Sequence, residues 1–282
     1  MAAEYVLTMS CPDRPGVVAA VSGLLAAHGC NITESQQFGD RVADRFFMRV
    51  QFVSGLPADD LSAAFAALAP ELAMEFRLRD LSVRPRVLVM VSKLGHCLND
   101  LLYRVRSGLL DIEIVAVVSN HPDLRPLTQS YGIDYHHLPV TTGTKPRQEA
   151  EVLTLVEHYQ ADLVVLARYM QVLSEDLCAK LAGQVINIHH SFLPSFKGAK
   201  PYHQAFSRGV KLIGATAHYV TPELDEGPII EQEVARVNHT HSAEDLAAMG
   251  RDLECQALAR AVRWHAEQRI LLDGHKTIIF PR

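Results

Sequence analysis

Asn187-Ile188-His189-His190-Ser191 puts an amide and an imidazole two residues apart. On a β-strand, residues i and i+2 face the same side, so Asn187 and His189 would converge on one point. Both side chains can donate hydrogen bonds, a combination that suits a developing oxyanion. A structural His–Asn pair is the other reading of the same spacing. Farther along, Asp225 stands in Thr221-Pro222-Glu223-Leu224-Asp225-Glu226-Gly227-Pro228. Proline and glycine bracket the acidic cluster, which places it in a loop between strands. A carboxylate there could act as a general base or simply be a solvated turn residue.

Other chemistry is weaker in the sequence. His189, His203, His218 and Asp225 show no HxxxH or HExxH spacing, so no metal site is expected. Cys11, Cys30, Cys97, Cys178 and Cys255 are scattered without a CxxC pair, as buried small hydrophobes in a reducing cytoplasm would be. The loop Ser92-Lys93-Leu94-Gly95-His96-Cys97-Leu98-Asn99 has a single glycine beside a bulky leucine. A phosphate cradle needs several close-approaching backbone N–H groups, so dinucleotide or ATP binding is not expected there.

These residues need a frame to hold them. Asp162–Ala167, Val87–Val91 and Ile112–Val118 are apolar, β-branched runs, the pattern of parallel strands buried on both faces. Helical stretches near 97–107, 123–131, 147–160 and 174–181 alternate with them, which predicts a doubly wound α/β sheet. Gln184–His189 reads as another strand, 211–220 and 228–237 as later strands, and 243–267 as a long helix. Ser242 and Asp245 form a capping-box pattern at its start. Ligands in such sheets collect beyond the C-terminal strand ends, where Ser92 and His189 fall.

The first eighty residues follow a different order. Tyr5–Met9, Asn31–Phe38, Arg45–Val53 and Met74–Leu81 read as strands. Helices start near Val17 and Pro57, giving βαββαβ with both helices on one face. Phe46, Met48, Val50 and Phe52 alternate with Phe47, Arg49 and Gln51, so one face of that strand is expected to be buried. Ser82-Val83-Arg84-Pro85-Arg86 is the connector.

Composition narrows the classes. The 282 residues carry 27 basic and 32 acidic side chains, a net charge of −5, without the basic footprint of a nucleic-acid binder. No apolar run reaches the roughly 18–20 residues of a membrane span. The opening MAAEYVLTMS lacks the basic start of a signal peptide.

Together, Asn187-Ile188-His189 and Leu224-Asp225-Glu226-Gly227-Pro228 resemble the folate-dependent formyltransferase superfamily. Further segments resemble its formyltetrahydrofolate deformylase family: His96-Cys97-Leu98, Arg168–Leu173, Ser191–Pro194, Phe196–Ala205 and Gly214–Val220. The βαββαβ unit with Asp13-Arg14-Pro15-Gly16 resembles an ACT regulatory domain. The resemblance implies an α/β chain, with an N-terminal ACT (ferredoxin-like) domain over 1–82 and a doubly wound formyltransferase-type α/β domain over 86–282.

It also implies an activity: hydrolysis of 10-formyltetrahydrofolate to tetrahydrofolate and formate, supplying formate for purine biosynthesis and balancing one-carbon folate pools. Asn187 and His189 would then stabilise the oxyanion, and Asp225 would position and deprotonate the water. Arg168, Tyr169, Met170, Gln171, Val172 and Leu173 would hold the folate, although relatives often carry Arg at position 171. No cofactor beyond the folate substrate is implied. An amino-acid effector, glycine or methionine by family analogy, would bind near Asp13, Gly16, Asn31 and Ile32 at the interface of a homo-oligomer. Neither nucleic acid nor membrane is an expected partner. The glycinamide ribonucleotide branch has a glycine-rich phosphate loop that Ser92–Cys97 lacks, and the methionyl-tRNA branch has an added β-barrel not expected here. A transformylase with another small acceptor and a non-catalytic folate or amino-acid sensor are the alternatives.

Overall fold

The computed structural model describes residues 2–194 and 201–282; Phe196–Lys200 of the motif quoted above lies outside them. Two compact units emerge, one of 1–84 with 264–282 and one of 85–263. The second domain, expected to run to 282, therefore stops at Arg263.

The first unit begins with β1 (Ala3–Pro12), α1 (Val17–Ala27), β2 (Asn31–Asp40), β3 (Arg45–Ser54), α2 (Ala58–Leu72) and β4 (Glu75–Asp80). The sheet order is β2-β3-β1-β4 and every pairing is antiparallel. Leu7, Met9, Met48, Val50 and Phe52 on the strands pack with Val21, Leu25, Leu61 and Phe65 from the helices. Burial of such side chains is worth about 1.5–3 kcal/mol each before entropy is counted, which is what commits the two helices to one face.

The second unit contains β5 (Arg86–Val91), α3 (His96–Arg106), β6 (Glu113–Ser119), α4 (Arg125–Gln129), β7 (Asp134–His137), α5 (Lys145–His158), β8 (Leu163–Leu166), α6 (Glu175–Lys180), β9 (Val185–His189), α7 (Pro201–Ser207), β10 (Leu212–Tyr219), β11 (Ile229–Arg236) and α8 (Ala243–Ala266), whose end crosses the boundary at Arg263. Its sheet runs β11-β10-β9-β8-β5-β6-β7. β5 to β9 pair in parallel, whereas β10 and β11 turn antiparallel. Leu88, Met90, Val118, Val164 and Leu166 are buried in the core, as strands covered on both faces require. The short β7 and α7 were not expected. Asp134-Tyr135-His136-His137 carries no apolar alternation, so register with β6 makes it a strand. At the start of α8 the capping box forms: Ser242 N donates to Asp245 Oδ2 at 2.8 Å and Asp245 N to Ser242 Oγ at 3.1 Å.

The first unit is completed by β12 (Ile270–Asp273) and β13 (Lys276–Ile279), an antiparallel hairpin. Its Leu271 and Phe280 pack on Phe47. The expectation that only one face of β3 is buried is thereby corrected, since Phe47 and Arg49 are as buried as Met48 and Val50. A buried guanidinium must have its donors satisfied. Arg49 donates to Glu34 Oε2 at 2.9 Å, to Gln51 Oε1 at 3.0 Å and to the Glu267 carbonyl at 3.0 Å. Arg269 binds the same Glu34 carboxylate and the Phe280 carbonyl.

Candidate functional site

Register aligns the site. Leu166 on β8 pairs with Asn187 on β9, so Arg168, two residues on, is level with His189. Met90 on β5 pairs with Leu166, which brings Ser92 to the same height. On the other side, β10 runs back against β9 with His218 opposite Asn187 and Thr216 opposite His189. Three strand ends and one returning strand thus meet where open α/β sheets bind ligands.

Asn187 Nδ2 lies 3.2 Å from His218 Nε2. His218 Nδ1 lies 2.8 Å from the Tyr219 carbonyl, which can only accept, so Nδ1 carries a proton, and whenever the ring is neutral its Nε2 accepts the Asn187 amide. This fixes the amide orientation. Asp225 comes from the loop after β10, and that loop is pinched shut at Gly227. A Cβ there would overlap the Tyr219 carbonyl, and Tyr219 N donates to the Pro228 carbonyl at 2.9 Å. Asp225 itself is left-handed, with φ 57°.

His189 Nδ1 sits 3.2 Å from Asp225 Oδ1, while His218 Nε2 is 3.7 Å from the same oxygen. Burial pushes the Asp225 carboxyl up. When protonated, His189 and then His218 donate to it, and those bonds with the ring charges outweigh burial and hold it well below the usual carboxylate range. The other nitrogen of His189, Nε2, is buried with no hydrogen-bond partner among the described residues. With Nδ1–H donating to the ionised carboxylate, Nε2 is a lone pair in the neutral ring and becomes a donor only in the imidazolium, the form that suits a negative charge appearing during reaction. Burial, helped by the charges of Arg168 and His189, lowers His190 to about 4, so that ring is neutral near pH 7.

The expected folate segment follows β8. Tyr169 and Leu173 are buried anchors. Gln148 Nε2 donates to the Tyr169 hydroxyl at 3.1 Å, and burial pushes that phenol up to about 12. Ser174 Oγ accepts from Leu177 N at 3.2 Å, capping α6. Met170 and Val172 are left exposed. Met170 N donates to Ser92 Oγ at 3.0 Å, and Ser92 Oγ donates to Asn120 Oδ1 at 2.7 Å. A cavity of about 220 Å³ lies between this segment and the Val220–Asp225 loop, with Asn187, His189 and His218 at its base.

All three expected catalytic residues and the whole 168–173 segment therefore border one cavity. His218, which the sequence pattern groups only with candidate metal ligands, belongs beside them. The ACT-site residues do not come together within one chain. Asn31 pairs with Val53, itself opposite Glu4, whereas Asp13 follows Pro12 at the other end of β1, roughly 30 Å away at the usual strand rise. Gly16 has φ 96°, a conformation that favours glycine at the entry to α1.

Among the described residues, His96, Cys97 and Glu254 are near enough together to share a metal ion. The guanidinium of Arg168, 3.4 Å from Glu254 Oε2, opposes a cation there. Cys97 is not an available nucleophile, because the hydrogen-bonding Cys255 and burial push its thiol well up.

Comparison with known proteins matches residues 85–262 to the formyl transferase family and residues 5–67 to the ACT domain. The chain is 54% identical to a formyltetrahydrofolate deformylase of Corynebacterium sp. (strain P-1), covering 98% of both chains. It superposes on the crystal structure of the Burkholderia mallei formyltetrahydrofolate deformylase with a TM-score of 0.95, at 53% identity, covering 99% of this chain and 100% of that one. Glycinamide ribonucleotide transformylase 1 of Symbiobacterium toebii matches more distantly, with a TM-score of 0.66 at 30% identity, over 70% of this chain and 95% of that one.

Proposed function

The chain belongs to the formyltetrahydrofolate deformylase family, and from that premise we propose that its cavity hydrolyses 10-formyltetrahydrofolate to tetrahydrofolate and formate. The observation that carries the site assignment is His189, with Nδ1 bound to the Asp225 carboxylate and Nε2 buried and unpartnered among the described residues.

The pteridine lies against the 168–173 segment, where backbone groups read its edge and Met170, Val172 and Leu173 wall it. The formyl carbon then faces His189. Water adds to that carbon, and the former carbonyl oxygen takes up negative charge that the Nε2–H of protonated His189 and the free Asn187 amide proton stabilise. Asp225 orients the water and takes its proton as the new C–O bond forms. The proton is passed to N10, the C–N10 bond breaks, and the amine leaves as tetrahydrofolate. Because Asp225 is a weak base, it holds the proton only in transit.

The finer reading is that the released formate supplies purine biosynthesis and that the reaction balances the one-carbon folate pools. An amino-acid effector bound to the ACT unit of a homo-oligomer would regulate it, and the Asp13–Gly16 turn is the feature that supports this. Five unpaired cysteines are consistent with work in a reducing cytoplasm. The deciding experiment uses purified protein and 10-formyltetrahydrofolate with no acceptor. Formate and tetrahydrofolate should appear in equal amounts. Substrate binding without turnover would favour the sensor reading.

A further inference from the structure

Arg168 is a costly residue for its position. Its backbone is left-handed, with φ 66°, a conformation L side chains rarely adopt. Its side chain is nine-tenths buried. It reaches Glu254 Oε2 from Nε at 3.4 Å, and among the described residues neither Nε nor Nη1 has a well-formed hydrogen bond. Glu254, almost fully buried, is gripped more tightly by others. His96 Nε2 lies 2.7 Å from Oε2, and the Tyr202 hydroxyl donates to Oε1 at 2.9 Å. Strain and buried charge persist together where the surrounding structure has a use for them.

Their place suggests that use. Arg168 and His190 border the cavity that holds Asn187, His189 and Asp225. Glu254, His96 and Tyr202 are absent from the described residues bordering it, and they connect to that wall from behind. The His190 ring lies 5.2 Å from that of His189 and 6.4 Å from that of Tyr202. One wall beside the reacting centre is thus two layers of large side chains, locked by a shared carboxylate.

We propose that the Arg168–Glu254 pair, backed by His96 and Tyr202, is a specificity plug that fills the space a second substrate would need and leaves water as the only nucleophile able to reach the formyl carbon. This rests on the hydrolase reading above. Arg168 acts by occupying and holding, and Glu254, His96 and Tyr202 are positioning residues. Without the plug, a small primary amine can attack the formyl carbon. Its nitrogen forms the new C–N bond, the bond to N10 breaks, and the proton lost by the amine goes to N10.

The test is a partition experiment with 10-formyltetrahydrofolate and glycinamide, reading formate and N-formylglycinamide in the same reaction against an enzyme-free control. Wild type should give formate only. Arg168→Gly, which also suits the left-handed backbone, should raise the formylated fraction about tenfold or more, in proportion to the amine concentration. Arg168→Met, which keeps bulk without charge, should stay near the wild-type partition. His96→Ala opens the same wall from behind and serves where Arg168→Gly turns over too slowly to read. If every variant that releases formate keeps the wild-type partition, the plug is refuted. No formate from wild type would instead refute the hydrolase reading itself.

Discussion

Asn187 and His218 stand directly opposite each other on antiparallel β9 and β10, with Nδ2 3.2 Å from Nε2. The imidazole is itself held by the Tyr219 carbonyl, so the amide that faces the reacting group is oriented by the ring beside it in the cavity wall. His218→Ala should lower kcat about 10- to 100-fold with little change in KM, because small misplacements of a positioned group are expensive. In an Asn187→Ala background the same change should add almost nothing. Equal effects in both backgrounds would show that His218 acts by another route.

Asp225→Asn should cost about 100- to 10,000-fold in kcat, the range for removing a general base. The amide preserves size and can still accept from His189, so folate affinity should hold within a few-fold. Stopped-flow turnover and equilibrium folate binding separate the two. Near-normal kcat would remove the base assignment.

Asn187→Ala and His189→Ala should each raise the barrier by about 2.7–4 kcal/mol, as loss of one oxyanion donor does. Their joint effect should fall short of the sum because both act on one charge. Steady-state kinetics on the single and double variants gives the comparison, and a pure KM effect would reassign both residues to substrate binding.

Protonation of His190 should leave a mark on stability. Its pKa falls from an ordinary 6.5 to about 4 in the folded protein, chiefly through burial. Between those values the unfolded chain binds more protons than the folded one, so stability rises with pH there. Acidification from pH 6.5 toward 4 should therefore lower Tm, and His190→Asn should flatten that slope. An unchanged slope in thermal melts would mean that other groups govern it.

How far the sequence reaches depends on which physical signal each feature leaves. Val87–Val91 and Asp162–Ala167 announce buried parallel strands by composition alone, and period two places Asn187 and His189 on one side. Nothing local reports that His218 lies opposite Asn187, because the β9–β10 pairing joins residues 31 positions apart in sequence. Arg168 is similar. It reads as one polar residue in a binding loop, and only the fold brings Glu254 to it from α8. The reversal of β10, antiparallel to both β9 and β11, likewise has no signature in its apolar pattern.

The C-terminal hairpin yields the remaining prediction. Alternation in Arg45–Ser54 marks Phe47 and Arg49 as an outer face, yet Leu271, Phe280 and the Glu34–Arg49–Arg269 network cover it. Phe280→Ala should destabilise the first unit by about 3–5 kcal/mol, the usual cost of emptying a buried aromatic site. Removing Arg269 should also be severe, because Glu34 loses one of its two guanidinium partners and the Phe280 carbonyl loses its side-chain donor. The same logic decides where the chain can be divided. A fragment starting near Arg84 and running to Arg282 keeps Leu271 and Phe280 without the strand face they cover, and should aggregate. A fragment of 85–263 omits them and should remain soluble while retaining Asn187, His189 and Asp225. Light scattering and denaturant melts of the two fragments test this, and equal solubility would mean the hairpin does not depend on β3 for its burial.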